Sequence, residues 1–352
     1  MRSFEPPKAN PARVMKAAPP NQSIRVGIVG CGAVVQQIHL PCLRNIPNVR
    51  ISWISDVDHK SGSSLAAAIG VPFCRYEVSM IERPKIDVLL LAIPYGARPV
   101  VYSQLSAFGA SHPSLYVEKP FARSVEEHRS ILATHNDWEV GVGLTRRSMG
   151  VVQCARQLAR SGIFGEVRYV DVRFGGLGRI LTRGGYMSNL QLAGGGMLME
   201  MGVHYIDAAL YSSGALDVQF ASGRTVYHDG FDVHTDAELS VNGKDGISFP
   251  LKLKVTAFES VASGIRLGFE SAVVQFDIGG SSRITVKGHV APTNEFDMSG
   301  FETFGPADPH AITAVHWTTF LAARAAKEAN YTCAVNAALT TKVIEQIYAQ
   351  GG

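Results

Sequence analysis

The sequence predicts two domains, an α/β domain on a doubly wound parallel sheet and then a mostly antiparallel α+β domain. The chain has 352 residues, enough for two domains at about 150 residues each. Between residues 24 and 144, short apolar runs alternate with helical patterns, as in βαβ units. After about residue 145, strand-like runs follow one another without long helices between them, which favours an antiparallel sheet.

The first half shows five predicted strands separated by predicted helices. The run at 86–93 is apolar throughout, as expected for a strand buried on both faces. The predicted strands are 24–29, 49–54, 86–93, 115–117 and 139–143, and the predicted helices are 33–45, 61–69, 99–108 and 125–134.

The second half begins with a predicted helix, and most of its strands come later. A Gly-rich stretch and a short helix at 202–211 interrupt the pattern, and two long helices close the chain. The predicted helices are 150–161, 202–211, 310–329 and 334–349, and the predicted strands are 167–174, 218–226, 237–241, 251–257, 265–269, 272–277 and 282–286.

Composition excludes several classes of protein. Apolar residues form 46% of the chain and charged residues 18%, which excludes a charge-extended disordered chain. A net charge of +3, with no clustered basic stripe, argues against nucleic-acid binding. No apolar run approaches the roughly 20 residues that cross a bilayer. Five scattered cysteines without a CxxC pair favour reduced thiols in a cytoplasmic protein.

Two glycines follow the first predicted strand, in the sequence GCGAVV at residues 30–35. Gly30 permits a tight turn, and Gly32 lets the backbone approach a pyrophosphate. Ala33 and Val34 then begin a helix whose free N–H groups can bind it. Val35 stands where Gly or Ala is expected. The strand before and the helix after favour dinucleotide binding over an ordinary glycine turn.

Asp56 follows the second predicted strand, 26 residues after Gly30 and near the expected spacing of about 20. A carboxylate there can accept hydrogen bonds from ribose hydroxyls and repels a 2′-phosphate, so NAD is favoured. His59 and Lys60 could tolerate that phosphate, which leaves NADP open. A solvated Asp is the alternative.

The sequence Glu118-Lys119-Pro120 follows the predicted strand 115–117, at a carboxyl end of the parallel sheet. Open α/β sheets bind ligands at that edge. Lys119 can there meet both cofactor and substrate and donate a hydrogen bond to an alcohol or carbonyl oxygen. A surface lysine at a strand end is the alternative.

A second candidate cluster lies in segment 194–207, where three glycines precede Glu200, His204 and Asp207. In a helix, Glu200 and His204 share one face, and Asp207 can orient His204. A carboxylate beside an imidazole raises its pKa, which suits a general base. A structural histidine is the alternative. With one His and two carboxylates, no metal site is predicted.

Several arginines could form a rim for an anionic group, because a guanidinium binds phosphate or carboxylate through two hydrogen bonds. A solvated arginine-bearing loop is at least as consistent with the sequence. The residues are Arg146, Arg147, Arg173, Arg179 and Arg183.

Together these motifs resemble the Gfo/Idh/MocA oxidoreductases, named for glucose–fructose oxidoreductase and inositol dehydrogenase. The resemblance runs from about residue 24 to the C-terminus. Single pieces are common, but their order and spacing are specific. The pieces are GCG (30–32), HLP (39–41), AIP (92–94), EKP (118–120), VG (142–143) with the two arginines after it, IFGEV (163–167) and segment 194–207.

The resemblance implies a Rossmann-type first domain and an α+β domain with an open, mainly antiparallel sheet that often forms the oligomer interface. It implies that Lys119 contacts substrate and nicotinamide and that His204 is the general acid/base. Glu200 stands where the family usually has Asp, and Arg98 where many members have His. The expected contacts are Gly30, Gly32, Ala33, Val34, Asp56, Ile93, Pro94, Glu118 and Lys119 for the cofactor, and Lys119, Arg147, Glu200 and His204 for the substrate, with Lys119, His204 and Glu200 catalytic.

We therefore predict an NAD(P)-dependent dehydrogenase or reductase acting on a secondary alcohol or ketone of a sugar, cyclitol or sugar derivative. The alternatives are a non-catalytic NAD(P)-binding regulator and an NAD-dependent glycoside-cleaving enzyme. We expect a flexible tail at 1–23, with a cleaved leader as the alternative. A dinucleotide-binding domain at 24–144 and a substrate-binding and oligomerisation domain at 145–352 are expected to follow. The final helices of the second domain could pack back on the first. A cytoplasmic homodimer or homotetramer is expected, without nucleic-acid or membrane partners.

Overall fold

Five parallel strands form the first sheet of the computed structural model. They are β1 (Ile24–Val29), β2 (Val49–Ser55), β3 (Val88–Leu91), β4 (Ser114–Val117) and β5 (Val140–Val142). Their spatial order is β2-β1-β3-β4-β5. Every residue of β3 and β4 is buried, which agrees with the continuous apolar run of the third predicted strand.

Helices connect these strands, and side-chain caps fix where two of them begin. The helices are α1 (Leu40–Asn45), α2 (His59–Ile69), α3 (Arg98–Ser106) and α4 (Val125–Leu132). The Asp58 carboxylate accepts hydrogen bonds from the first amides of α2, and the Ser124 hydroxyl accepts one from Glu127 in α4. Such caps satisfy N–H groups that the helix itself leaves unpaired.

Eight strands form the second sheet, in the order β13-β12-β11-β10-β6-β9-β8-β7. Only β6 and β9 pair in parallel among the described strands of this sheet. The predicted fold class is confirmed. The elements are α5 (Gly150–Ser161), β6 (Val167–Gly175), α6 (Leu190–Ala193), α7 (Val203–Ser213), β7 (Asp217–His228), β8 (Phe231–Asn242), β9 (Ser248–Thr256), β10 (Gly264–Phe269), β11 (Ala272–Phe276), β12 (Ile284–Gly288), β13 (Phe296–Asp297), α8 (Pro309–Ala326) and α9 (Ala338–Gln350).

The second sheet packs one face against α7. Val170 of β6 and Leu253 of β9 are fully buried in the hydrophobic cluster that contains Tyr205 and Ile206 of α7. Strand residues of opposite parity, such as Lys252, are exposed. This alternation is what a sheet with one solvated face requires. Helix α7 therefore covers the buried face of the second sheet.

The chain returns to the first domain through α8. Trp317 and Phe320 are fully buried in one cluster with Val26 and Leu90 of the first sheet. The Trp317 ring also stacks on Tyr116, with 3.9 Å between ring centroids. Helix α8 therefore completes the core on one side of the first sheet.

The structure describes residues 23–78, 82–107, 112–177, 185–288, 296–297 and 305–350. Residues 1–22 of the predicted tail, and Arg179 and Arg183 of the predicted arginine rim, lie outside these ranges. None of the described helices is both long enough and apolar enough to span a membrane.

Candidate active site

The glycine turn after β1 has the geometry that a dinucleotide needs. Gly30 has a φ of +105°, and a Cβ on it would lie 2.2 Å from the carbonyl oxygen of Ala92. At Gly32, by contrast, an added Cβ would meet nothing within 4 Å. The amides of Val35 and Gln36 bind the Gly32 carbonyl, so the amides before them precede the first bond of the helix. This open, N–H-lined corner fits a pyrophosphate.

The predicted cofactor residues beyond the turn lie around it. The Ile93 side chain lies against Gly30, and Pro94 follows directly. One Asp56 oxygen accepts the Cys31 amide at 2.6 Å and the other accepts the Asp58 amide at 2.9 Å. Each carboxylate oxygen can accept a further bond, so Asp56 can both hold the turn and face a ribose.

Val35, the departure from the glycine pattern, is fully buried and begins a π-helical turn, Val35–His39. At the other end of that turn, His39 contacts Glu118 at 2.8 Å through Nε2. The indole N–H of Trp317 donates to His39 Nδ1 at 3.0 Å. Because an indole N–H can only donate, His39 Nδ1 must be the acceptor. The His39 proton therefore lies on Nε2, which donates the hydrogen bond to Glu118.

Glu118 is held as a carboxylate at the end of β4. Burial would raise the pKa of Glu118, but the hydrogen bond from His39 and the charges of Lys119 and Arg98 bring it below its ordinary value. A Cβ on Gly143 would lie 2.7 Å from this carboxylate. Gly143, which directly follows β5, therefore leaves room for the Glu118 side chain.

Lys119 joins the first domain to the segment that carries His204. Its ammonium donates a hydrogen bond to the backbone carbonyl of Glu200 at 2.6 Å. Glu200 lies in a π-helical turn, Leu198–Gly202, which precedes α7 and which the sequence pattern did not predict. The Lys119 charge also acts on His204, four residues further on. The two predicted catalytic groups therefore lie in one site, although they come from different domains.

The prediction of a raised His204 pKa is wrong. His204 is buried, and its desolvation together with the charges of Lys119 and Arg146 lowers its pKa well below the ordinary value of 6.5. In the described part of the chain, its Nδ1 atom is buried without a hydrogen-bond partner. The imidazole is therefore neutral near pH 7, in the form that can accept a proton.

Asp207 does not orient His204, because Arg147 and Thr340 take its carboxylate. Arg147 binds both Asp207 oxygens, at 2.8 and 2.6 Å, and Thr340 donates at 2.8 Å. Two further Arg147 N–H groups reach the carbonyls of Tyr331 and Asn336. Arg147 is only 3% exposed, so its guanidinium is occupied mainly in holding Asp207, and its predicted substrate contact stays a prediction. The pair instead joins α7 to the C-terminal segment.

We expect Arg147→Ala to lower the free energy of unfolding by about 3–5 kcal/mol, because it leaves the Asp207 charge buried and unpaired. Urea unfolding at pH 7 measures this loss. Arg173→Ala is the matched control, because Arg173 pairs with Asp171 at the surface and such pairs contribute at most about 1 kcal/mol. Equal losses in the two variants would contradict the structural role of Arg147.

Arg146, the neighbour of Arg147, faces the site instead. It is half-buried, and its Nε lacks a hydrogen-bond partner among the described residues. Its charge acts on His204, and the Asp277 carboxylate acts on it in turn. The Tyr205 hydroxyl donates to Asp277 at 2.7 Å. Arg146, Tyr205 and Asp277 therefore place two charged groups beside the site. The Arg146 guanidinium has an Nε without a partner among the described residues, and the Asp277 carboxylate accepts a hydrogen bond from Tyr205.

Asp232 fixes the start of the segment that carries Glu200 and His204. Its buried carboxylate accepts hydrogen bonds from the amides of Gly196 and Leu198 and from the Tyr348 hydroxyl. A Cβ on Gly196 would lie 2.2 Å from the Asp232 carbonyl, which explains one of the three glycines. Sequence reasoning missed Asp232, since its partners are 34 to 116 residues away.

Known proteins with similar sequences include a sugar dehydrogenase and a catabolic protein. The chain is 28% identical over 217 residues to D-glucoside 3-dehydrogenase of Escherichia coli, which covers 57% of each chain. It is 24% identical over 229 residues to the rhizopine catabolism protein MocA of Rhizobium meliloti, covering 64% of this chain and 69% of that one. The chain spans about half the length of the first curated relatives it matches.

Solved structures share the fold across both domains. Levoglucosan dehydrogenase in complex with NADH and levoglucosan aligns with a TM-score of 0.77 at 14% identity, covering 94% of this chain and 97% of that one. A 3-ketoreductase from Actinomadura kijaniata, solved with NADP, aligns with a TM-score of 0.74 at 15% identity, covering 93% and 98%. At these identities the likeness concerns the fold.

Family models match both halves of the chain. The NAD-binding Rossmann-fold model of the oxidoreductase family matches residues 24–144, and the Gfo/Idh/MocA C-terminal domain model matches residues 152–267. The two matches together span well over half of the sequence and include the glycine turn, the EKP motif and α7. The chain therefore belongs to the Gfo/Idh/MocA oxidoreductase family.

Proposed function

We propose that this protein is an NAD(P)-dependent dehydrogenase or reductase acting on a secondary alcohol or ketone of a sugar, cyclitol or sugar derivative. One observation carries the proposal: the Lys119 ammonium binds the Glu200 carbonyl and acts on the neutral His204. A hydrogen-bond donor and a proton acceptor thus meet at the carboxyl edge of the dinucleotide-binding sheet, where such folds bind their ligands.

Each side chain has a separate task in alcohol oxidation. A nicotinamide cofactor held by the glycine turn and Asp56 would supply the hydride acceptor. Lys119 holds the alcohol oxygen, and a ring nitrogen of His204 takes the hydroxyl proton. Glu200, beside them on the π-helical turn, positions the substrate. In ketone reduction the same groups work in reverse, and His204 returns the proton to the oxygen.

Arg146 is added to the proposed substrate site. Its Nε, which has no partner among the described residues, and its position beside His204 suit a contact to a substrate oxygen, whereas the Arg147 guanidinium binds Asp207 and two backbone carbonyls. Asp56 favours NAD, because its carboxylate would repel a 2′-phosphate. The five cysteines are free thiols, which supports a cytoplasmic location. The exposed face of the second sheet is the surface we assign to a homodimer or homotetramer.

A hydride-transfer screen tests the proposal. The purified protein is incubated with NAD or NADP and a panel of sugars, cyclitols and their acids and amines, and reduced nicotinamide is followed by absorbance. We expect reduction to require both a polyol and the cofactor, and to be faster with NAD. Tight NAD binding without hydride exchange with any polyol or keto-sugar would contradict the proposal and favour a regulator.

A further inference from the structure

A buried arginine lies behind the Lys119 turn. Arg98 is the first residue of α3 and only 2% exposed. Its guanidinium donates to the carbonyl of Pro120 and, at 3.4 Å, to that of Lys119. Its Nε donates to the carbonyl of Ile93 at 3.3 Å. One side chain thus joins the end of β3 to the turn after β4.

We propose that Arg98 is a positioning residue that sets the place of the Lys119 ammonium relative to the cofactor edge of the sheet. The inference rests on the proposed function, in which Lys119 contacts the reacting oxygen. Two of the three carbonyls belong to Lys119 itself and to the residue after it, and the third belongs to Ile93, the second residue after β3. Only a planar group with donors in several directions can reach all three.

The electrostatics of the turn support the same role. The Arg98 charge helps to keep Glu118 ionised in a buried position. Glu118 in turn accepts a hydrogen bond from the Lys119 amide at 3.2 Å. The backbone of Lys119 is therefore fixed at its carbonyl by Arg98 and at its amide by Glu118. Fixing both peptide groups sets the direction of the Cα–Cβ bond, from which the side chain reaches the Glu200 carbonyl.

The chain offers a matched control for this inference. Arg83 is also buried, at 7% exposed, and its Nη2 lies 3.1 Å from three carbonyls, those of Arg75, Tyr76 and Val78. These partners lie outside every segment assigned to the site. Arg83→Lys therefore measures what the loss of such an arginine does to folding alone.

The test compares Arg98→Lys with Arg83→Lys in full-length protein. Lysine keeps the charge but cannot reach three carbonyls. We expect Arg98→Lys to lower kcat about 10²-fold, since small misplacements of a reacting group have effects of that size. The KM and the Kd for NAD should change little. Arg83→Lys should retain kcat at a similar loss of stability. Equal kcat in the two variants, or a parallel loss of NAD affinity in Arg98→Lys, would overturn the inference.

A second readout does not depend on turnover. The rate at which an amine-reactive reagent modifies Lys119 is followed by peptide mass spectrometry in both variants. We expect modification to rise several-fold in Arg98→Lys only, because the ammonium leaves the Glu200 carbonyl. An unchanged modification rate would overturn the inference, whether or not the wild type transfers hydride. A wild type that transfers no hydride would count against the proposed function alone. If Arg98→Lys does not fold, Arg98→His, with two N–H donors at most, takes its place. Failure of both to fold would show a folding role and overturn the inference.

Discussion

Lys119→Met is expected to reduce kcat by at least about 10²–10³-fold, the effect of removing one preorganised donor from a developing oxyanion. Methionine keeps much of the side-chain length but removes the ammonium that binds the Glu200 carbonyl. The glycine turn and Asp56 do not involve this ammonium. The Kd for NAD, measured by fluorescence titration, should therefore remain close to that of the wild type.

Lys244→Met is the control for Lys119→Met. Lys244 lies in the turn between β8 and β9 with its side chain 83% exposed, so its loss should change neither turnover nor NAD affinity. If Lys119→Met lost NAD affinity together with turnover, the lysine would be a cofactor ligand only. Its proposed contact to the reacting oxygen would then be wrong.

His204→Asn is expected to lower kcat by about 10²–10⁴-fold, the usual contribution of general acid–base catalysis. In the wild type, the pKa of His204 lies well below 6.5, because of burial and the charges of Lys119 and Arg146. A base works in its neutral form, which predominates above its pKa. Alcohol oxidation should therefore keep its kcat/KM down to pH 6.5 and lose it only at more acidic pH.

Three variants check the origin of that acid limb. His204→Asn should remove it, whereas His228→Asn, at an exposed position, should leave it unchanged. Arg146→Gln removes one of the cations that disfavour imidazolium, so the limb should move to higher pH. An acid limb in His204→Asn at the wild-type pH would show that another group is the base.

Because proton binding and folding are linked, the low pKa of His204 also lowers the stability of the folded protein at acidic pH. The unfolded chain binds a proton at His204 more readily than the folded chain does, because folding lowers the pKa. The neutral, buried imidazole therefore destabilises the fold progressively as pH falls below 6.5. The acid limb of activity and acid unfolding can thus overlap, and circular dichroism at each pH separates the two.

The sequence predicts features that neighbouring residues determine. The strand before Gly30 and the helix after it are set by local apolar patterns and by the turn between them. The place of Lys119 follows from the strand before it, since carboxyl ends of parallel strands meet at one edge. The structure agrees with both, and the NAD-binding Rossmann-fold family model covers both segments.

The wrong predictions concern partners that are distant along the chain. Asp207 is three residues from His204, yet it binds Arg147 and Thr340, 60 and 133 residues away. The predicted rise in the pKa of His204 assumed the near neighbour and ignored desolvation and two cations. Likewise, His39 and Trp317 are 278 residues apart. Spacing along one element cannot reveal such pairs, because tertiary packing decides them.

A crystal structure of the protein with NAD and a polyol substrate tests the central claim most directly. We expect the nicotinamide ring at the carboxyl edge of the first sheet, with the reacting hydroxyl within hydrogen-bond reach, about 2.6–3.2 Å, of both Lys119 Nζ and a ring nitrogen of His204. A nicotinamide bound elsewhere, or a hydroxyl that contacts neither group, would contradict the account.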